Sequence, residues 1–316
     1  MKCLVVGHRG LIGSAISREL IQFAEEFVHE IGVRWASPND AIVDIKRITD
    51  SFKGFVSKES WAVFWCAGKG FLGSIEGELE PEIEIFEQFL SDLSKWENKR
   101  GVVVLASSAG AIWNASGLDR IDENTPDIGV SPYALAKLRQ EKSLNEFCLQ
   151  TNIRGVVARI SSVYGAGQDL HKQQGLISRM CIAAVTRTPI SIFVPLETTR
   201  NYIFSTDLAK MLIQTAQTEV RKQDLVRGAK KVVLCSRDNH SIASICKAVE
   251  DVSRRKLLKS THLLGNVAKY PLHFQLRPKN LATIAGCEST TLLAGVSVVY
   301  REILNQYQMG LISRSS

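Results

Sequence analysis

The sequence lacks the features that mark membrane-spanning, metal-binding or disulfide-linked proteins. No apolar run approaches the ~20 residues that a helix needs to cross a bilayer, and a strand-like stretch follows the first residue, so we expect neither a membrane span nor a signal peptide. The seven cysteines are odd in number and form no C-x-x-C pair. This favours reduced, buried thiols over zinc ligands or disulfides, and predicts a cytoplasmic protein without a metal site.

Internal repeats, low-complexity segments and long runs of one charge are also absent. Hydrophobic residues make up 45% of the chain and charged residues 22%, a balance that argues against disorder and predicts a folded core. The formal net charge is +7, but the basic residues are spread out and form only short clusters, such as RRK at 254–256. We therefore expect no nucleic-acid partner, while an anionic small-molecule substrate is compatible with the charge.

Short apolar runs alternate with amphipathic stretches in the first half of the chain. Strands are predicted at 2–7, 32–36, 61–68, 100–108 and 153–161, and helices at 11–27, 80–96 and 131–150. Because the strands are almost continuously apolar, they are expected to be covered on both faces. The pattern predicts an α/β fold with a doubly wound parallel sheet of the Rossmann type.

The alternation becomes less regular after about residue 165. A strand and a helix are predicted over 198–217, another strand at 230–236, and helices at 241–255 and 290–307. We expect residues 1–165, joined by 198–236, to form the dinucleotide-binding domain. Residues 166–197 and 237–316 are expected to form a smaller substrate-binding lobe over the carboxyl edge of the sheet, where ligands of such folds bind.

A glycine-rich turn, GHRGLIG at 7–13, links the first strand to the first helix. Gly7 permits a tight turn, Gly10 lets a pyrophosphate approach the backbone, and Gly13 allows close packing of helix on strand. The N-terminus of the helix then presents unpaired N–H groups and a partial positive charge to the phosphates. The context of strand, glycine turn and helix predicts a dinucleotide site.

Two arginines bear on the choice of cofactor. Arg9 lies inside the glycine turn, and Arg34 lies in the predicted second strand, near the point where NAD-binding proteins place an acid for the ribose 2′-hydroxyl. An arginine there suits a 2′-phosphate, so the pair predicts NADP. NAD stays possible, because Asp40 would supply the acid if the strand ended later.

A tyrosine and a lysine four residues apart, Tyr133 and Lys137, share one face of the predicted helix 131–150. A lysine ammonium one turn away stabilises a phenolate, so Tyr133 is expected to exchange a proton with a sugar hydroxyl or carbonyl. Ser108, at the end of the fourth strand, is expected to donate to the same oxygen. The three residues form a predicted Ser–Tyr–Lys catalytic set.

These motifs resemble those of extended short-chain dehydrogenase/reductases of the NAD-dependent epimerase/dehydratase family, over essentially the whole chain and more weakly after residue 240. The segments 158–168 and 199–212 resemble two further family motifs, with Asn201 in place of an acid. The resemblance implies a nucleotide-sugar substrate, whose diphosphate Arg200 would contact, and a homodimer formed through helices 80–96 and 131–150. Taken together, the expected cofactor-binding residues are Gly7, Arg9, Gly10, Leu11, Ile12, Gly13, Arg34, Asp44, Ile45, Cys66, Ala67, Gly68, Tyr133 and Lys137, and the expected substrate-binding residues are Ser108, Arg200 and Tyr202.

The glycine turn is especially similar to that of GDP-fucose synthases, which use NADPH. Those enzymes carry a cysteine after the catalytic serine, where this chain has Ala109, and their partner histidine has no counterpart at 172–180. Epimerisation at C3 and C5 is therefore not expected, and neither is dehydration, because no acid follows Ser108. Two hydride reactions at C4 remain open, that of a 4-epimerase and that of a 4-ketoreductase. The alternative is a non-catalytic cofactor-binding or scaffold protein of the same fold.

Overall fold

The fold was analysed in a computed structural model of the chain. The structure describes residues 1–23, 26–29, 32–113, 117–118, 120–170, 174–224, 227–261, 272–279, 286–287 and 289–313. In chain order, their elements are β1 (Lys2–Val6), α1 (Leu11–Gln22), β2 (Phe27–His29), α2 (Pro38–Val56), β3 (Trp61–Trp65), α3 (Glu80–Ser94), β4 (Gly101–Ser108), α4 (Ala109–Trp113), β5 (Arg120–Ile121), α5 (Pro132–Thr151), β6 (Arg154–Ile160), β7 (Ser162–Tyr164), α6 (Leu176–Thr186), β8 (Ile190–Ile192), β9 (Thr199–Phe204), α7 (Ser205–Arg221), β10 (Lys230–Leu234), β11 (Asn239–Ser241), α8 (Ile242–Ser253), β12 (Lys259–Thr261), β13 (Gln275–Leu276) and α9 (Leu292–Gln308).

The central sheet has six described strands in the order β10-β6-β4-β3-β1-β2, and every neighbouring pair is parallel. Successive residues of β1 point to opposite faces. Cys3 and Val5 belong to one buried cluster, with α1 and α7, while Leu4 and Val6 belong to a second, with α2 and α3. Because both faces are covered, the strands carry no polar face, and the predicted doubly wound parallel sheet is confirmed.

The order in which strands are added to the sheet changes direction at β1. β2 lies on one side of β1 and β3 on the other, so the carboxyl ends of β1 and β3 border the crevice at a topological switch point. The glycine turn 7–13 follows β1, and Cys66–Gly68 follows β3. The topology therefore brings both predicted cofactor segments to the place where doubly wound sheets bind ligands.

The predicted second strand at 32–36 is wrong. The strand beside β1 is Phe27–His29, and 32–36 forms a turn in which Gly32 has φ +73° and the Ser37 N–H donates to the Arg34 carbonyl. The turn leads into α2, a helix that the prediction missed because its sequence is rich in charged residues. α1 also ends five residues earlier than predicted, and α6 was not predicted.

A second core lies outside the central sheet. α6, α8 and α9 pack together around buried side chains that include Met180, Ile245 and Val299. Two small sheets, β11-β9-β7 and β12-β8, adjoin this core. It is built from residues of the predicted smaller lobe together with β7 and β9, while the exact division into two domains stays a prediction. Across the described ranges, no helix is both long and apolar enough to cross a membrane.

A buried ionic network fastens α5 to the sheet. Arg159 in β6 is fully buried, and its Nε and Nη2 donate to the two carboxylate oxygens of Glu141 in α5 at 3.1 and 2.5 Å. Its Nη1 donates to Asp127, and Ser107 in β4 donates to Glu141. The Arg159 guanidinium also lies 4.6 Å from the centroid of the Trp113 ring. A buried charge is tolerated only with such partners, so the network fixes one geometry for α5, β4 and β6.

We expect Glu141→Gln to lower the free energy of unfolding by about 3 kcal/mol, because it removes the carboxylate that neutralises a buried arginine. Arg139→Gln on the same helix is the control. The Arg139 side chain is 45% exposed in its ion pairs with Glu80 and Glu87, so its loss should cost less than about 1 kcal/mol. Urea denaturation measures both variants. Equal losses would contradict the special role of the buried pair.

Candidate active site

The glycine turn admits no side chain at two of its positions. Gly7 has φ +89°, and a Cβ there would lie 2.6 Å from Ala67 N and from the Cys66 carbonyl carbon. A Cβ on Gly13 would lie 2.2 Å from the Gly7 carbonyl oxygen. The turn is thus pressed against both α1 and the end of β3. This close packing leaves room only for glycine at both positions.

The N-terminus of α1 is open toward the crevice. Gly10 is its N-cap, no side chain caps it, and its first turn carries no acid. Leu11 and Ile12 are half-buried in this first turn, and Arg9 beside them is exposed. Among the described residues, no carboxylate forms an ion pair with Arg9. The first turn therefore offers N–H groups, a helix dipole and a guanidinium to an anion.

Arg34 is engaged within the fold. Its Nε and Nη2 donate to Asp44 at 2.9 and 3.1 Å, and its Nη1 lies 3.0 Å from Asp40. The hydrogen bond to Asp44 raises the pKa of Arg34, and the same bond lowers the pKa of Asp44. Ile45, next in α2, is buried in the core. The structure thus places the predicted cofactor residues Arg34, Asp44 and Ile45 in contacts that hold α2.

Tyr133 and Lys137 lie one turn apart near the start of α5. Ser131 is the N-cap and accepts from the Ala134 N–H at 3.1 Å. Lys137 Nζ lies 5.8 Å from the centroid of the Tyr133 ring and donates to the Ala106 carbonyl of β4 at 3.2 Å and to Gln140 Oε1 at 3.0 Å. The lysine therefore ties the start of α5 to the carboxyl end of β4, the strand that ends at Ser108.

The electrostatics differ from the sequence-based expectation. Burial raises the pKa of Tyr133 to about 12, and the nearby Glu82 carboxylate acts in the same direction. Burial also lowers the pKa of Lys137. The pKa of Tyr133 in the ligand-free protein is therefore raised, whereas the sequence predicted that Lys137 would lower it, because the phenol is withdrawn from water and lies near a carboxylate. In this structure Tyr133 is a neutral phenol at neutral pH and is suited to donate a proton.

Glu82 is a site residue that the sequence reasoning missed. It lies in the first turn of α3 and accepts from the backbone N–H groups of Lys69 and of Gly70, the latter at 3.1 Å. A Cβ on Gly70 would lie 2.9 Å from the Tyr133 ring, so this loop covers the tyrosine closely. The sequence does show acidic residues at the start of the predicted helix 80–96. It does not show that one of them lies close to Tyr133.

Ser108 lies at the carboxyl end of β4, as predicted. Its Oγ accepts from the Ala111 N–H at 3.1 Å and so caps the short helix α4. Because the oxygen is used as an acceptor, the hydroxyl proton remains available to a ligand oxygen. Ala109, where GDP-fucose synthases carry a cysteine, is fully buried. Of the stretch 172–180, residues 172 and 173 lie outside the described residues, and Leu176 begins α6.

A second part of the site is a cavity beyond β4. Arg200 in β9 donates from Nη1 to the carbonyls of Thr199 and Leu272 at 2.8 and 3.4 Å. Burial lowers the pKa of Arg200 and raises that of Tyr202 to about 12. The cavity is lined by Leu72, Gly110, Ser161, Ser162, Arg200, Asn201, Phe274 and Leu276. One cation and several uncharged polar groups thus face apolar walls, an arrangement typical of sites for anionic metabolites.

Asn201 has a role inside the fold. Its Nδ2 donates to the carbonyls of Ser236 and Asp238 at 2.7 and 3.1 Å, while its Oδ1 accepts from the Ser236 N–H at 2.9 Å. The residue that replaces the family's acid therefore ties β9 to the segment after β10. This accounts for the amide at a position where a carboxylate would face two carbonyl oxygens.

The model of the NAD-dependent epimerase/dehydratase family matches residues 3–227. The chain belongs to this family. The match includes the glycine turn, β4 with Ser108, the start of α5 and Arg200. It confirms the resemblance seen in the sequence motifs.

Individual relatives are more distant. A Methanocaldococcus jannaschii protein provisionally named a UDP-glucose 4-epimerase is 32% identical over 108 residues, 34% of this chain and 35% of that protein. The dTDP-4-dehydro-6-deoxyglucose reductase of Escherichia coli is 28% identical over 126 residues, 39% of each chain. This chain therefore matches little more than a third of the length of these relatives.

The crystal structure of UDP-glucose 4-epimerase from Brucella ovis in complex with NAD has a TM-score of 0.81 at 18% identity, covering 96% of this chain and 98% of that one. This likeness shows a shared fold.

The Tyr133 phenol is expected to resist ionisation in the ligand-free protein, because burial and Glu82 both favour its neutral form. The difference in tyrosinate absorbance between the wild type and Tyr133→Phe should stay flat up to about pH 11, where an unperturbed tyrosine with a pKa near 10 would already be ionised. A difference signal with a midpoint at or below about pH 10 would show that Lys137 dominates instead.

Proposed function

We propose that the protein is a nucleotide-sugar 4-epimerase that uses a nicotinamide dinucleotide. The observation that carries this proposal is the Tyr133–Lys137 pair, anchored through Ala106 to the carboxyl end of β4, which also carries Ser108. The UDP-glucose 4-epimerases among its relatives support the substrate class. A 4-ketoreductase is the second candidate, favoured by the neutral state of Tyr133 and by the reductase from Escherichia coli.

Each residue of the site has a defined part in this chemistry. A bound nicotinamide dinucleotide would supply the hydride acceptor and donor for C4. Ser108 donates to the C4 oxygen, and Tyr133 exchanges the proton of that oxygen. Reduction of a ketone uses the neutral phenol. Oxidation of a hydroxyl uses the phenolate, for which the Lys137 ammonium, 5.8 Å from the ring centroid, provides a positive charge. Arg200 binds the substrate diphosphate in the cavity beyond β4.

NAD is the cofactor that we propose. In the sequence, Glu30 comes directly after β2, and NAD-binding proteins carry an acid after their second strand. Arg34, which suggested NADP, is engaged by two carboxylates. Arg9 is thus the one residue of the arginine pair that remains available for a 2′-phosphate. The Brucella ovis neighbour, solved with NAD, supports the same choice.

Titration of the cofactor-free protein with NAD and NADP tests this proposal. We expect NAD to bind at least about tenfold more tightly, because the ion pairs of Arg34 with Asp40 and Asp44 withdraw one of the two arginines from a 2′-phosphate. Arg9→Ala should weaken NADP more than NAD, and Arg34→Ala, as the control, should affect both equally. Tighter binding of NADP by the wild type, with selective loss in Arg34→Ala, would restore the prediction that the two arginines hold the 2′-phosphate.

Turnover is tested on UDP-, GDP- and dTDP-hexoses by chromatographic detection of the C4 epimer. Tyr133→Phe should lower kcat by at least about 100-fold while retaining dinucleotide binding, because it removes only the proton-transfer group. Tyr307→Phe, in α9, is the control and should keep full activity. Net consumption of reduced cofactor with a 4-keto sugar would identify the reductase. Dinucleotide binding without turnover of any sugar would favour the scaffold alternative.

A homodimer formed through α3 and α5 stays a prediction that rests on the family resemblance. On α5, Leu135 and Leu149 are more than half exposed and are apolar side chains that such a contact would cover. A molar mass of one chain in light scattering would contradict it.

A further inference from the structure

Glu82, in the first turn of α3, connects the loop after β3 to helix α5. Its carboxylate accepts from the backbone N–H groups of Lys69 and Gly70, the latter at 3.1 Å. Its backbone carbonyl accepts from Gln140 Nε2 at 3.4 Å, and Gln140 Oε1 accepts from Lys137 Nζ at 3.0 Å. Gln140 is 2% exposed, so this connection lies inside the protein. Glu82 therefore holds the loop with its side chain and is linked to the lysine, through one residue, by its main chain.

The loop held by Glu82 lies between the glycine turn and the tyrosine. At one end, a Cβ on Gly7 would lie 2.6 Å from Ala67 N. At the other end, a Cβ on Gly70 would lie 2.9 and 3.2 Å from two carbons of the Tyr133 ring. A displacement of this loop would therefore alter both the border of the crevice and the packing of the phenol. Hydrogen bonds from N–H groups to a charged carboxylate are stronger than those to a neutral acceptor, so Glu82 is suited to prevent that displacement.

The charge of Glu82 also acts on the two residues that it helps to place. Besides burial, which raises the pKa of Tyr133 and lowers that of Lys137, the carboxylate favours the neutral phenol and the charged ammonium. The other titratable groups that act on the lysine are a thiol and a second carboxylate, Cys66 and Glu141. That second carboxylate is neutralised by Arg159, whereas none of the ion pairs within the described ranges includes Glu82. The negative charge beside the phenol is therefore that of Glu82.

We propose that Glu82 is a positioning residue that holds residues 69 and 70 against the Tyr133 ring and thereby fixes the phenol relative to the crevice. This inference rests on the proposed function, since it gives Glu82 a part in the reaction of Tyr133. Glu82 acts through the loop and through its charge, without touching the substrate. A carboxylate that only stabilised the loop would leave the ionisation of the phenol unchanged, so that ionisation distinguishes the two roles.

Turnover of the variants Glu82→Ala and Glu82→Gln separates hydrogen bonding from charge. The alanine removes the acceptor of both loop N–H groups and should lower kcat by about tenfold or more, because the phenol is no longer fixed. The glutamine keeps an oxygen that accepts from the same groups and should recover most of that loss. Glu84→Gln, at an exposed position of the same helix, is the control and should keep wild-type kcat. An unchanged kcat in Glu82→Ala, or no recovery in Glu82→Gln, would overturn the inference.

The ionisation of Tyr133 in the ligand-free protein is the readout that needs no substrate. Glu82→Gln removes a negative charge that opposes the phenolate, so the tyrosinate signal that Tyr133→Phe deletes should appear at a pH lower by at least about 0.5 unit. Glu84→Gln should leave this signal at its wild-type pH. An unchanged midpoint in Glu82→Gln would show that Glu82 does not act on Tyr133 and would overturn the inference. Absence of sugar turnover by the wild type would instead overturn the proposed function, and the midpoint would still decide whether Glu82 acts on the phenol.

Discussion

The ion pair between Glu141 and Arg159 is the interaction on which the site depends. Tyr133 and Lys137 project from α5, while Ser108 and the Ala106 carbonyl belong to β4. Helix and strand are separate elements, and a small rotation of one would separate the catalytic groups. The buried pair fixes both, since Glu141 accepts from Arg159 in β6 and from Ser107 in β4. Its directional bonds specify orientation, which apolar packing alone leaves less defined.

Desolvation shapes the chemistry as strongly as residue identity does. The same burial that brings a phenol and an ammonium close together also disfavours the charged form of each. Glu82 adds a negative charge beside them while holding the loop that covers the tyrosine. The neutral phenol of the ligand-free site is suited to donate a proton, whereas accepting one takes the phenolate, which a positive charge beside the ring would favour.

Sequence reasoning identified those elements whose signal is local. The predictions were correct for the strands β1, β3, β4 and β6 and for the glycine turn. Burial on both faces produces a continuous apolar run, and a tight turn requires glycine, so both features are visible in a short stretch of sequence. β2 was missed because it has three half-buried residues and, among the strands that the structure describes, pairs with β1 alone. The ion pairs of Arg34 with Asp40 and Asp44 and the place of Glu82 near Tyr133 were not predicted, because the sequence alone does not show which side chains the fold brings together.

The amide of Asn201 carries a consequence for how this chain can diverge. It gives two hydrogens to carbonyl oxygens of the 236–238 segment and takes one from a backbone N–H, so it behaves like a short length of paired strand. An acid at this position would set a carboxylate against those carbonyls. Side chain and loop are therefore expected to change together.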